Sequence, residues 1–230
     1  MCGLTGILSQ EDQATEMLNS IVQSMTIALT HRGPDAEGVW TEGGIAFGHR
    51  RLAILDLSPS GAQPMLSPCG RFCMVFNGEI YNFTDLRDEL IAKGHSFKSN
   101  SDTEVVLVAY REWGVECLTR FNGMFAFAVY DAKKQAVFLA RDRAGEKPLF
   151  YHHAGGVLRF ASELKALLAD PALTRRIDPA ALDCYLSMGY VPGDRCMLQG
   201  FNKLPPAHAL LFDLKTGQSK LWRYWELPEF

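Results

Sequence analysis

The chain has 230 residues, of which 47% are hydrophobic and 21% charged, with 23 basic against 26 acidic side chains and a formal net charge of −3. That length buries a full core as one large domain or two small ones. Slight acidity and the absence of any long Lys/Arg run argue against a nucleic-acid groove. The six cysteines, at positions 2, 69, 73, 117, 184 and 196, form no CxxC and have no histidine at zinc-ligand spacing. They read neither as a disulfide scaffold nor as a metal centre. No basic segment followed by an apolar one opens the chain, and no run of about eighteen apolar residues exists. A cytoplasmic protein with reduced thiols and no membrane partner is expected.

Met1-Cys2-Gly3-Leu4-Thr5-Gly6 opens the chain. Met1 is generally removed when a small side chain follows it, and Cys2 would then carry a thiol and a free α-amine on one residue. The amine could take the thiol's proton and pass it to a leaving group. A buried cysteine opening an edge strand is the plainer alternative. Gly3 to Leu8 reads as a strand. From Ala14 to Leu29, Met17, Leu18, Ile21, Val22, Met25, Ala28 and Leu29 recur at three and four, which predicts a one-faced helix. Gly33-Pro34 ends it. Ile45 to Leu55 reads as a strand with Arg50 and Arg51 at a solvated edge, and Ser58 to Pro64 as a loop. Arg71 to Phe76 is a strand ending on Asn77-Gly78, which by itself signals a hairpin turn.

Asn82 or Thr84 caps a helix that Gly94 closes, and Asp102 is an N-cap candidate for the apolar run Val105 to Trp113. Met124–Tyr130 and Ala136–Ala140 form a hairpin covered on both faces. Arg141 to Pro148 is the densest charge cluster. Strands follow near 149–152 and 157–161, then a helix over 162–168. Beyond Asp170 prolines break the chain into short pieces, and a last hairpin turns about Thr216-Gly217.

Five segments occur in order: the N-terminal Cys2-Gly3; His31-Arg32-Gly33-Pro34-Asp35; His49 through Asp56; Asn77-Gly78-Glu79-Ile80-Tyr81-Asn82; and Ser101-Asp102-Thr103-Glu104. Together they resemble the glutaminase domain of class II glutamine amidotransferases, the N-terminal-nucleophile hydrolases, in the branch of the glutamine-hydrolysing asparagine synthetases. Two other branches carry tyrosine or glutamine in place of Pro34. Arg141 to Leu149, Phe160 to Leu167, Leu204 to His208 and Arg223-Tyr224-Trp225 are similar to later segments of the same family. The resemblance implies an α+β fold, a four-layer αββα sandwich of two antiparallel sheets. It also implies a division into an amidotransferase domain over 1–213 and a C-terminal segment, 214–230, leading towards a synthetase domain.

The resemblance further implies roles. Cys2 attacks the side-chain amide of glutamine, and the Asn77 amide with the Gly78 N–H meets the oxyanion, an effect of about 3–4 kcal/mol per donor. Arg51 grips the α-carboxylate, whose two oxygens suit a planar fork. Asp102, helped by the backbone at Glu79, takes the α-ammonium, and Leu52, Ala53, Ile54 and Leu55 present main-chain groups to the substrate. Arg50 has no such match and reads as surface, and the six histidines read as structural. This domain needs no cofactor or metal. ATP and Mg belong to a synthetase half that consumes the ammonia, and neither its pyrophosphate loop nor a Walker-type loop occurs here. That half is either a separate subunit or a further part of a longer protein, its acceptor being aspartate or another carboxylate. The resemblance admits a homodimer, which the sequence does not fix. A silent glutamine-binding regulatory module, or an amidase of this fold with another substrate, are the rival readings.

Overall fold

The computed structural model describes residues 1–10, 15–54, 56 and 58–228. In chain order the elements are β1 (Gly3–Ser9), α1 (Thr15–Ile27), β2 (Ala36–Glu42), β3 (Ile45–Arg51), β4 (Met65–Leu66), β5 (Phe72–Ile80), α2 (Phe83–Ala92), α3 (Asp102–Trp113) and α4 (Cys117–Arg120). There follow β6 (Gly123–Asp131), β7 (Ala136–Arg141), β8 (Phe150–Ala154), β9 (Val157–Ala161), α5 (Leu164–Leu167), α6 (Pro179–Met188), β10 (Phe201–Lys203), β11 (His208–Asp213) and β12 (Gln218–Arg223). The strands make two six-stranded antiparallel sheets, ordered β10-β8-β9-β1-β3-β2 and β12-β11-β7-β6-β5-β4.

Strand alternation sorts the side chains into layers. Leu4 and Leu8 of β1, Ile45 and Phe47 of β3 and Phe160 of β9 meet Cys73 and Val75 of β5 and Leu139 of β7 between the sheets. The opposite faces of β5, β6 and β7 bury Met74, Phe76, Phe127 and Phe138 against Leu86 and Leu90 of α2 and Val105 to Tyr110 of α3. On the far side, Ile7 and Ala46 pack on Leu18 and Val22 of α1. Ala161 packs on Met25, Leu29 and residues of α5. Helices, sheet, sheet, helices: the αββα sandwich is present. Among the described residues, no helix is long and apolar enough to cross a membrane.

Several local expectations change. Asn77-Gly78 is not a hairpin turn, because β5 runs straight through it with Asn77 opposite Ala126 and Gly78 opposite Phe125. Glycine is needed there for close approach, since a Cβ on Gly78 would lie 2.7 Å from the Phe125 Cα. Ser101, not Asp102, caps α3 by accepting the Glu104 N–H, and Asp102 is the first helical residue. Asn82 sits at the start of α2 without capping it. Its amide donates to the Arg120 carbonyl and accepts the Asn122 N–H, tying α2 to the entry of β6. The strand expected over 45–55 stops at Arg51, and Leu55 lies outside the described residues. So does Ala14, the expected start of α1.

Arg50 is not a surface residue. β3 lies inside its sheet between β1 and β2, and the Arg50 side chain, 12% exposed, pairs with Glu37 at 2.6 Å. Neither β2 nor α6 was expected. The signal for α6 was Asp178-Pro179, an N-cap whose carboxylate accepts the Ala180 N–H, followed by proline in the first turn.

The charge cluster 141–148 is a structural knot. Arg141 donates to the carbonyls of Gly145, Lys147 and Leu204. Asp142, 1% exposed, accepts the N–H groups of Phe125, Glu146 and Lys147. Asp142→Ala strands these donors and is expected to cost about 2–4 kcal/mol of stability, measured by denaturant unfolding.

Candidate active site

The apolar layer between the sheets ends in polar residues at one edge. Continued along the same alternation, Leu4 leads back to Cys2, Phe47 leads on to His49 and Arg51, and Val75 leads on to Asn77 and Glu79. Because β3 runs antiparallel to β1, with Gly3 opposite Arg50, these ends converge. A cavity of about 200 Å³ opens there, lined among others by Cys2, Arg51, Leu52, Ile54, Asn77, Gly78, Glu79 and Asp102. Eight of the ten residues expected to serve the site thus line one cavity. Ala53 is not among the lining residues, and its N–H is bound to Asp35 Oδ2 at 2.9 Å. Leu55 lies outside the described residues.

Holding a chain end still requires contacts from elsewhere. Arg32, only 8% exposed, donates from Nε to the Cys2 carbonyl at 2.8 Å and from Nη1 to Glu163 at 2.9 Å. Burial would raise the Glu163 carboxyl, but hydrogen bonds from Arg32 and His31 overcome it and hold the group at about 2. Gly33 lets this turn lie on β3, since a Cβ there would meet the Arg50 and Arg51 backbone.

The Leu52 N–H donates to the Cys2 sulfur across 3.4 Å, and the thiol lies 3.6 Å from the Leu52 carbonyl. Burial still pushes the Cys2 thiol up, against that hydrogen bond, the N-terminal ammonium and Arg51. The thiol therefore needs a base. Among the described residues, no histidine lines the cavity. His49, buried on the inner face, makes its Nε2 bond with the Phe76 carbonyl at 3.0 Å, and burial lowers it to about 4, so it stays neutral.

The donors at the cavity are unusual. Asn77 is 1% exposed, yet its Nδ2 finds no hydrogen-bond partner among the described residues. A buried amide left in this state is costly unless a ligand satisfies it. The ladder also sends alternate N–H groups of β5 away from β6. That of Phe76 goes to Gln63 and that of Ile80 to Asp102 Oδ2 at 3.0 Å. Gly78 lies between them and directs its N–H to the same edge, at the cavity wall. An amide and a main-chain N–H are the pair an oxyanion requires.

Charges of opposite sign stand elsewhere on the wall. The Arg51 guanidinium donates to the carbonyls of Asp56 and Ser58, and no ion pair among the described residues involves it. Asp102 is 5% exposed. Burial raises it to about 6, the Ile80 N–H opposes this, and the Glu79 charge adds to the rise. Asp56 links the two charges, its carbonyl accepting from Arg51 and its Oδ2 accepting the Asn100 N–H at 3.1 Å, two residues before Asp102.

Among the lining residues outside the expected set are Gln63, Ser101, Met124 and Lys147, the last 7% exposed. Gln63-Pro64 and the 141–148 cluster stood out as loop and charge. Nothing local to either tied it to this cavity.

A thiol at the second residue, at the mouth of two stacked antiparallel sheets and sharing a cavity with a buried amide unpartnered among the described residues, fits the arrangement of an N-terminal-nucleophile amidotransferase. A family model described as a glutamine amidotransferase domain matches residues 1–225, and the chain belongs to that family. It is 42% identical, over 99% of its length, to asparagine synthetase [glutamine-hydrolyzing] 3 of Bacillus subtilis (strain 168), of which it covers 37%. It is 35% identical, over its full length, to putative asparagine synthetase [glutamine-hydrolyzing] 2 of Methanocaldococcus jannaschii, of which it covers 47%. The chain thus spans less than half of either relative. The solved glutamine phosphoribosylpyrophosphate amidotransferase of B. subtilis shares the fold, with a TM-score of 0.69 and 20% identity over 97% of this chain and 49% of that one.

Asp102 links pH to both stability and activity. With its native value near 6 and its ordinary value near 3.8, the folded state binds the extra proton between these limits, so its contribution to stability is lost as pH rises through them. Asp102→Asn is expected to raise the unfolding midpoint at pH 7–8, the gain vanishing near pH 4, in thermal scans. For turnover of a substrate bearing an α-ammonium group, kcat/KM should fall about tenfold per pH unit below about 6, and this limb should be absent in Asp102→Asn.

Proposed function

We propose that this chain hydrolyses L-glutamine to glutamate and ammonia through a thioester on Cys2. With Met1 removed, the α-amine of Cys2 takes the thiol proton as Sγ attacks the side-chain amide carbon. The oxyanion forms against Asn77 Nδ2 and the Gly78 N–H. The amine returns the proton to the leaving nitrogen, ammonia departs, and water cleaves the thioester to release glutamate and restore the thiol. Arg51 grips the α-carboxylate of glutamine, while Asp102 and Glu79 face its α-ammonium. Leu52 and Ile54, which line the cavity, flank the substrate. The amide of Asn77, orphaned among the described residues and lining the same cavity as the half-buried Cys2 thiol, carries this reading, because a transient acceptor completes its hydrogen bonding. No metal or cofactor enters the step.

The names of the two relatives favour an amide-forming synthetase as the consumer of the ammonia, and on the present reading that synthetase is ATP-dependent. Residues 1–213 would then be the glutaminase, and 214–230 lead towards the module that uses its product. Aspartate or another carboxylate is the acceptor.

The mature protein, treated with an amino-acid electrophile that mimics glutamine, is expected to gain one adduct, on Cys2, by peptide mass spectrometry. Labelling at Cys69, Cys73, Cys117, Cys184 or Cys196 in its place would defeat the mechanism. Cys2→Ala should lower glutamine-dependent ammonia release by on the order of a thousandfold or more. Asn77→Ala should lower kcat by about 10²–10³. A binding-only module would keep its function in the Cys2 variant, and a different amidase would prefer amides lacking the α-amino acid head.

A further inference from the structure

The oxyanion donors lie at a place where the sheet is unfinished. β4 is two residues long and pairs only with Cys73 and Met74, so from Phe76 onward β5 has no strand on that side. An unpaired edge presents N–H and C=O groups that must be satisfied in another way. At Phe76 two side chains take the part of the absent strand. Gln63 Oε1 accepts the Phe76 N–H at 2.6 Å, and the neutral His49, reaching across from β3, donates from Nε2 to the Phe76 carbonyl at 3.0 Å. The Gln63 amide also lies 3.5 Å from Thr103 Oγ1, beside Asp102, while Asp102 itself holds the Ile80 N–H. Gln63 and His49 are both buried, 8% and 1% exposed.

We propose that Gln63 and His49 are positioning residues for the oxyanion hole, standing in for the missing length of β4 so that the Gly78 N–H stays unpaired. Had β4 continued by a few residues in register, its carbonyls would cover Gly78 and close the hole. Had the edge been left bare, the outward N–H and C=O of Phe76 would lack partners, and β6 alone would hold the strand. Phe76 leads directly into the backbone that carries the Asn77 side chain and, one residue on, the Gly78 N–H. Two side-chain grips on one residue hold the strand straight while leaving the next outward donor open. Their contribution is felt in the transition state, where hydrogen-bond direction decides the benefit, and little in substrate binding.

This inference rests on the glutaminase reading, and the two are separable. Purified, Met1-processed protein is assayed for glutamine-dependent ammonia release alongside Gln63→Met and Gln63→Glu. If the unsubstituted protein releases no ammonia while retaining its fold, the glutaminase reading itself fails. Given activity, Gln63→Met, which keeps shape and loses the acceptor, should lower kcat by about ten- to a hundredfold, with KM within about threefold. Gln63→Glu, whose carboxylate still accepts the Phe76 N–H, should recover most of that loss. Amide hydrogen exchange at Phe76 should quicken in the Met variant and not in the Glu variant. An unchanged kcat in Gln63→Met overturns the proposal, as does a change confined to KM or a Glu variant as slow as the Met variant. Should the Met variant not fold, the comparison moves to His49→Gln, which can donate to the carbonyl, against His49→Leu, which cannot. Equal kcat in that pair overturns the proposal.

Discussion

The site depends on one grip at the start of the chain, that of the Arg32 guanidinium on the Cys2 carbonyl. A residue beside a chain end is held by the fold from one side only, and without a second anchor its side chain would sample a wide volume. Arg32 supplies the anchor because it is buried and its own charge is balanced by Glu163, which His31 and Lys165 also contact. β1 supplies the other end of the constraint. Paired on both sides, with β3 and β9, it has little freedom to shift along its axis. The sulfur is thereby placed by the whole sheet rather than by a loop.

From that point the electrostatics follow from depth. The inner face of each sheet passes from aliphatic and aromatic side chains to Cys2, His49, Arg51, Asn77 and Glu79 within a few residues. The polar groups therefore stand in an environment set by the core behind them. Low effective dielectric strengthens hydrogen bonds and charge pairs formed there, and it penalises charged groups left alone. The raised Cys2 thiol, the raised Asp102 carboxyl and the lowered His49 imidazole are three results of one cause. Arg51 is the counterweight, a cation held by neutral carbonyls and so still able to attract an anion.

Much of this was legible in the residues, but unevenly. The core strands, α1 and the last hairpin announce themselves through periodicity, because their burial repeats every two or nearly four residues. Cys2, Arg51, Asn77, Gly78, Glu79 and Asp102 could be named only from the ordered motifs taken together. Each alone has a plainer explanation in a turn, an edge or a helix cap. The structure shows why local reading fails at Asn77-Gly78. The dipeptide that ordinarily turns a hairpin lies in mid-strand, because β6 approaches so closely that a side chain is excluded at 78. Gln63 was illegible for a related reason. Its partners, Phe76 and Thr103, are distant in sequence, and the need for it arises only because β4 stops early.

Several features of the cavity lower stability in isolation: an unmatched amide at Asn77, a carboxylate buried at Asp102 and a strand edge without a neighbour. A fold keeps such features only where the surroundings over-determine them. Here the surroundings are visible, with β6 behind Gly78, Asp142 and its loop behind β6, Gln63 and His49 at the edge, and α3 fixed by Ser101 beneath Asp102. Each of these groups satisfies a backbone requirement of its own while fixing a neighbour that remains unsatisfied. Stability lost at the cavity is thus offset one residue away. Groups arranged in this manner need no reorganisation when charge develops on a bound amide, and preorganised dipoles of this kind supply the largest share of rate in acyl transfer.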